Sequence, residues 1–297
     1  MESHASINSI PNEVPPPHLQ HQLVTALTPP KILLAILDFF RTAYLLPLAA
    51  INHRFSSLVL RIIHQRLIRS ALLPNHRLIL ECYHPSAKLS TPYLFCDHLF
   101  TSGLDATSPT LTLAGLRSAY SHFRPVAQDE NQRARRRYPR TATEGAPPPP
   151  PVEPPTQDIF LDESESLSQL CTVTNLVPKP GLFLSHVNIG EGVVRVWRDW
   201  LAAQAHAQNR DGGGAPILWA DALQSVGVRF RVRRREGEWL HAPPVLVAAG
   251  EEEEMPVAYR LEFVEVVVRA GELLLGLERS EEQGVTTSGT AVMIVSG

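Results

Sequence analysis

Cysteine and net charge are both scarce in this 297-residue sequence, and each shortage excludes a class of protein. The three cysteines are too few for a disulfide-stabilised fold or, by themselves, for a four-thiolate zinc site. A net charge of −3 gives no general attraction to phosphate backbones, so nucleic acid is not an expected partner. No basic segment followed by an apolar run opens the sequence, so we expect no secretory signal and a cytoplasmic or nuclear location.

The sequence also lacks a long uninterrupted apolar stretch. Residues 32–63, ILLAILDFFRTAYLLPLAAINHRFSSLVLRII, are rich in leucine and isoleucine, but Asp38, Arg41 and Pro47 lie within the first half. A membrane-spanning helix needs about 20 mostly apolar residues, and each central charge would cost at least ~2.5 kcal/mol. We therefore expect no membrane association from this segment.

Motifs of the common catalytic sites are absent as well. The sequence contains no G-x-S-x-G, H-E-x-x-H or G-x-x-x-x-G-K-[ST] pattern, and Gly190-Glu191-Gly192 lacks the third glycine of a dinucleotide-binding turn. A catalytic triad is a spatial arrangement that one sequence does not reveal. The patterns predict a protein that is not an enzyme, with no catalytic residues, no metal ion and no cofactor.

Proline, by contrast, is abundant and clustered. Residues 125–157 contain five consecutive prolines at 147–151 and few apolar side chains, so they cannot bury enough surface to offset an ordering cost of roughly 1–2 kcal/mol per residue. We predict a disordered insert there. Five prolines also flank a His- and Gln-rich piece of residues 1–30, which we interpret as a flexible arm.

Apolar residues at intervals of three and four predict three helices within residues 31–74. The first spans about 31–40, the second follows a possible cap at Thr42, and Asn52 separates the second from the third. The apolar positions are Ile32, Leu33, Ile36, Leu37 and Phe40 in the first helix, Leu45, Leu46, Leu48 and Ile51 in the second, and Phe55, Leu58, Val59, Ile62, Ile63 and Leu67 in the third.

This pattern resembles the F-box. The opening Pro11-Asn12-Glu13, the apolar helix with a following Leu-Leu pair, and the ending formed by Asn52, Phe55 and Leu58 occur in the order of that motif. Residues 15–31 depart from it, because an F-box opening runs directly into the first helix. The segments 78–100 and 171–201 also resemble F-box proteins of filamentous fungi.

The resemblance implies a substrate receptor of an SCF-type ubiquitin ligase, which binds a Skp-type adaptor and through it a cullin scaffold, and presents an unknown target protein. The implied adaptor-binding residues are Pro11, Glu13, Ile32, Leu33, Ile36, Leu37, Leu45, Leu46, Leu48, Ile51, Phe55 and Leu58. The alternatives are a β-domain that binds a small molecule or glycan, with helices that serve only its own fold, and, with less support, an uncharacterised hydrolase.

Residues 75–124 and 158–297 indicate β-structure, and the expected fold class is α+β. Short β-prone segments occur at 77–83, 92–100 and 181–189, strict alternation occurs at 226–233, and the alternation from Tyr259 shifts phase near Val264 as at a bulge. One helix is predicted around Val193–Leu201. Together these features favour a β-sandwich or curled sheet with one packed helix.

Two polar patterns have both a functional and a structural interpretation. The pairs Cys82/His84 and Cys96/His98 could share one strand face as metal ligands, but we interpret them as buried thiols beside surface histidines. The row of arginines from Arg229 to Arg235 could bind an acidic ligand, but we favour cross-strand pairing with Glu262 and Glu265.

Overall fold

The computed structural model describes residues 30–104, 112–127, 154–179, 186–211, 215–235 and 256–287. The chain divides into two compact units, residues 1–62 and 63–297. The described residues form six α-helices and one large antiparallel sheet, so the mixed α+β class is confirmed. The predicted arm with Pro11 and Glu13, and most of the predicted disordered insert, lie outside the described residues.

The first unit contains the predicted helices with small shifts in their ends. They are α1 (Pro30–Asp38), α2 (Thr42–Leu48) and the start of α3 (His53–Ala71). Arg41 occupies the position before α2, and Thr42 is a buried helical residue instead of a cap. The predicted break at Asn52 is confirmed, because its side-chain oxygen accepts a hydrogen bond from the Phe55 N–H at 3.0 Å and so caps α3.

The described part of the second unit is built on nine strands. They are β1 (His76–Tyr83), β2 (Leu94–Ser102), β3 (Tyr120–Ala127), β4 (Thr156–Leu161), β5 (Leu167–Pro178), β6 (Val187–Trp197), β7 (Ile217–Trp219), β8 (Val226–Arg234) and β9 (Val257–Arg269). The sheet order is β6-β5-β1-β2-β3-β9-β8-β7. One edge of the long strand β9 pairs with β3 near its end and with β4 near its beginning.

The sheet curls until it is nearly closed. The Val193 N–H of β6 donates to the carbonyl of Ala220, directly after β7, across 3.3 Å. The inner face of the sheet is covered by the helices α5 (Arg198–Asp211) and α6 (Ala270–Thr287). They contribute Leu201, Leu273 and Leu277 to the main apolar core. A further short helix, α4 (Leu113–Arg117), precedes β3.

Several predicted strands are confirmed. Segments 77–83 and 92–100 correspond to β1 and β2, and 226–233 corresponds to β8 with its four predicted apolar side chains buried. The phase shift near Val264 is a bulge, because Arg229 pairs with Glu265 while Phe230 pairs with Phe263. Of the predicted strand at 181–189, residues 181–185 lie outside the described residues.

The predicted helix around Val193–Leu201 is wrong in its first half. Residues up to Trp197 belong to β6, and the helix begins at Arg198. Val194 and Val196 are buried while Val193 and Trp197 are exposed, so the side chains follow the two-residue period of a strand. Pairing with β5 over ten residues makes this segment a strand, although the spacing of its apolar residues also fits a helix. Three α-helices lie wholly within the described residues of the second unit, where one was predicted.

Closure of the sheet depends on close backbone approach at Gly192. A Cβ atom at this position would overlap the carbonyl of Ala220. We expect Gly192→Ala to lower the free energy of unfolding by about 1–3 kcal/mol, because the backbone must move. Gly271→Ala in α6, where a Cβ meets nothing within 4 Å, is the matched control and should stabilise by up to about 1 kcal/mol. Urea denaturation measures both, and equal stability of the two variants would contradict the closure.

Candidate partner-binding surface

The apolar residues of the first unit separate into a buried and an exposed set. Of the predicted adaptor-binding residues, Leu33, Leu37, Leu45 and Leu58 are buried. Those that are exposed are Ile32, Ile36, Leu46 and Ile51, while Leu48 and Phe55 are half-buried. The structure therefore divides the predicted set into residues that stabilise the unit and residues that are accessible to a partner.

Three aromatic residues belong to the exposed set as well. Two of them, Phe39 and Tyr44, were not among the apolar positions predicted from the sequence. Phe39 is 91% exposed, and Phe40 and Tyr44 are also exposed. Phe40 was predicted on the apolar face of the first helix, whereas α1 ends at Asp38 and leaves it in the following turn. The exposed set, here called the apolar helical surface, comprises Ile32, Ile36, Phe39, Phe40, Tyr44, Leu46 and Ile51.

The apolar helical surface is unusually dense. It contributes seven of the nineteen large exposed apolar side chains in the described part of the chain, within only twenty residues of sequence. Removing such a side chain from water is worth roughly 1.5–3 kcal/mol, and concentrated exposed apolar residues are typical of interaction sites. No helix in the described ranges is long and apolar enough to cross a membrane.

The predicted pairing of the arginine row with Glu262 and Glu265 is confirmed for Arg229, Arg231 and Arg233, whereas Arg235 pairs with Asp158. Arg229 contacts Glu265 at 2.9 Å, and Glu262 is contacted by Arg231 at 3.4 Å and by Arg233 at 2.6 Å. The pairs form because these residues project outward from adjacent, hydrogen-bonded strands. Both glutamates are buried, which is tolerable for a carboxylate only when it is paired.

A second charged cluster was not predicted. Asp158 on β4 accepts hydrogen bonds from Arg260 at 2.9 Å and from Arg235 at 2.7 Å. The hydrogen bond from Arg260 is the main reason that the pKa of Asp158 is lowered, with further contributions from the charges of both arginines. The paired residues are 102 and 77 positions apart in the sequence, so no local pattern predicts these contacts.

The two Cys-x-His pairs contain buried thiols, as interpreted from the sequence. Cys82 and Cys96 are buried, and burial raises the pKa of each thiol far above its usual value. Their neighbours bond to hydroxyl groups, His84 to Ser86 at 2.7 Å and His98 to Thr101 at 3.2 Å. Across the residues with described positions, no group of three His, Cys, Asp or Glu side chains could hold a metal ion.

Comparison with known proteins does not assign a family. No family model, no curated protein and no solved structure matches the chain. The interpretation of the apolar helical surface therefore depends on its own geometry and on the sequence features described above.

Replacing Asp158 with asparagine removes the carboxylate that Arg235 and Arg260 share. Because folding lowers the pKa of Asp158, its ionised form stabilises the fold above the unfolded value of about 3.9, and this contribution is lost as the pH falls through the lower folded-state value. At neutral pH we expect a loss of about 1 kcal/mol or less, since partly exposed pairs are weak.

The measurement is urea denaturation of both proteins at several pH values between about 5 and 2. The free energy of unfolding should fall more steeply with acidification in the natural protein than in Asp158→Asn. Parallel curves for the two proteins would contradict the lowered pKa.

Proposed function

We propose that the first unit is an F-box that binds a Skp-type adaptor, and that the chain is a substrate receptor of an SCF-type ubiquitin ligase. The observation that carries this proposal is the apolar helical surface, which exposes seven large side chains on a unit whose other large apolar residues are buried or half-buried. The order of the motif residues in the sequence supports the choice of partner. The second unit would select the target protein.

The exposed side chains suit recognition of helices by apolar anchors. Ile32 and Ile36 are one helical turn apart on α1, and both are about half exposed. Aromatic side chains beside them add large contact areas with few rotatable bonds, a property that makes such residues common anchors of interfaces. A few fully covered anchors would be enough to offset the entropy lost on association.

The proposed role is positioning. An adaptor held by the first unit and a target held by the second would keep a lysine of the target close to the ubiquitin carrier, which raises its effective concentration. No bond-making step is assigned to the adaptor-binding residues. The specificity of the reaction would then depend on which protein the second unit binds.

Burial decides which residues can test adaptor binding. Leu45 is fully buried, so an aspartate there would place a charge inside the unit and unfold it. Ile32, Ile36, Leu46 and Ile51 are exposed, and charged substitutions there leave the buried set intact. They therefore report on binding without changing the core.

The quadruple variant Ile32→Asp/Ile36→Asp/Leu46→Asp/Ile51→Asp should lose adaptor binding by more than about 100-fold, because several anchors worth roughly 1.5–3 kcal/mol each are removed. Co-purification with a recombinant Skp-type adaptor, followed by measurement of the dissociation constant, checks this. The thermal unfolding midpoint should change little.

The control variant is Leu89→Asp/Leu223→Asp, which alters two strongly exposed leucines of the second unit. It should bind the adaptor as tightly as the natural protein does. Unchanged binding by the quadruple variant, or absence of binding by the natural protein, would refute the proposal.

A further inference from the structure

Three polar side chains on neighbouring strands of the second unit form a relay of hydrogen bonds. Ser102 Oγ, at the end of β2, lies 3.0 Å from Nε2 of His122 on β3. The other ring nitrogen of His122, Nδ1, lies 2.7 Å from Oε1 of Glu265 on β9. The relay therefore connects a hydroxyl, an imidazole and a carboxylate in that order.

The carboxylate fixes the direction of the hydrogen bond at the Glu265 end of the relay. A carboxylate only accepts hydrogen bonds, and Arg229 pairs with the second oxygen of Glu265 at 2.9 Å. His122 therefore donates a proton from Nδ1 to Glu265, and in the neutral form of the ring the lone pair on Nε2 accepts from Ser102 Oγ. The carbonyl oxygen of Tyr120, 3.3 Å from Ser102 Oγ, is a second acceptor for the same hydroxyl. A neutral imidazole in this tautomer is the general base that activates a serine hydroxyl.

The surroundings hold the imidazole in place. The ring of Phe100 stacks on that of His122 with centroids 4.2 Å apart and an angle of 11° between the planes. The side chains of His122 and Glu265 are only 12% and 8% exposed, so the contact between them is shielded from water. Such support from a stacked ring and a second ion pair keeps a base oriented toward its nucleophile.

The serine end of the relay is accessible. Ser102 is half-buried, and it is followed by the exposed Gly103, whose φ of +78° turns the chain sharply at the end of β2.

We propose that Ser102 is a nucleophile for carboxylic esters, with His122 as its general base and Glu265 as the residue that positions the base. This activity is independent of adaptor binding. The exposed position of Phe100 and the half-buried position of Ser102 suit a small acyl group on the outer face of the sheet.

The reaction has two balanced steps. Ser102 Oγ bonds to the carbonyl carbon of the ester while its proton passes to Nε2 of His122, and the bond to the alcohol breaks as the alcohol departs with that proton. A water molecule then attacks the acyl-serine, gives a proton to Nε2, and releases the carboxylic acid as the proton returns to Ser102.

The first measurement is covalent labelling of the full chain by a fluorophosphonate probe, with the modified peptide located by mass spectrometry. Ser102 should be labelled, and His122→Gln should slow its labelling by at least about 100-fold, because general-base catalysis contributes about 10²–10⁴. Glu265→Gln should slow it less, by about 10-fold or more, and should shift its pH profile.

Ser86 is an internal control. Its hydroxyl lies 2.7 Å from Nδ1 of the half-buried His84, but within the described ranges no carboxylate hydrogen-bonds to that histidine. The relay predicts labelling of Ser102 and not of Ser86. Equal labelling of both serines, or labelling of Ser102 that is unchanged in His122→Gln, would overturn the proposal.

Hydrolysis of p-nitrophenyl acetate gives a second readout that does not depend on the His122 variant being folded. Ser102→Ala removes one oxygen atom and should abolish the protein-dependent rate, whereas Ser86→Ala should leave it unchanged. A rate that is the same in Ser102→Ala as in the natural protein would show that the relay is structural only.

Discussion

Burial of apolar side chains away from water is the dominant favourable contribution to folding, and it organises both units of the chain. In the second unit the inner face of the curled sheet is covered by α5 and α6, whose Leu201, Leu273 and Leu277 belong to the same core as the buried residues of the strands. The first unit differs. Its leucines at 33, 37 and 45 are buried, but a comparable number of isoleucine, leucine and aromatic side chains on the same helices are exposed. The proposed function follows from this difference, since exposed apolar surface is costly unless another polypeptide covers it.

The alternative of a β-domain whose helices serve only its own fold predicts that the helical apolar residues are buried within the chain. Burial of Leu33, Leu37 and Leu45 agrees with it, whereas exposure of Ile32, Ile36 and Phe39 does not. The proposed adaptor binding would account for both sets, because an interaction module needs a small core to hold its helices and a separate set of anchors for its partner.

Local sequence patterns predicted the elements whose side chains keep one period throughout. The alternation of β8 and the three helices of the first unit belong to this group. The bulge at Val264 was predicted as well, because the change of period occurs among neighbouring residues. The failure at β6 has a physical reason. Val193, Val196 and Trp197 fit a helical face as well as a strand, and pairing with β5, which no local pattern reveals, decided between them.

The sites were predictable to a smaller extent. Sequence reasoning named most of the apolar helical surface, but it did not separate buried from exposed positions and it missed Phe39 and Tyr44, which lie off the expected apolar face. The relay of Ser102, His122 and Glu265 could not be found, because its last two members are 143 residues apart and meet only through the pairing of β3 with β9. Strand order is a property of the whole chain, and it creates polar clusters that have no sequence motif.

The central claim is that another polypeptide covers the apolar helical surface, and the heat-capacity change of adaptor binding tests it most directly. Isothermal titration calorimetry of the natural protein with a Skp-type adaptor at several temperatures gives this quantity. Burial of an ordinary protein interface of about 1,600 Å² with a largely apolar composition predicts a change of about −0.2 kcal/mol/K or more negative. A change near zero, or no heat of binding at any temperature, would contradict the claim.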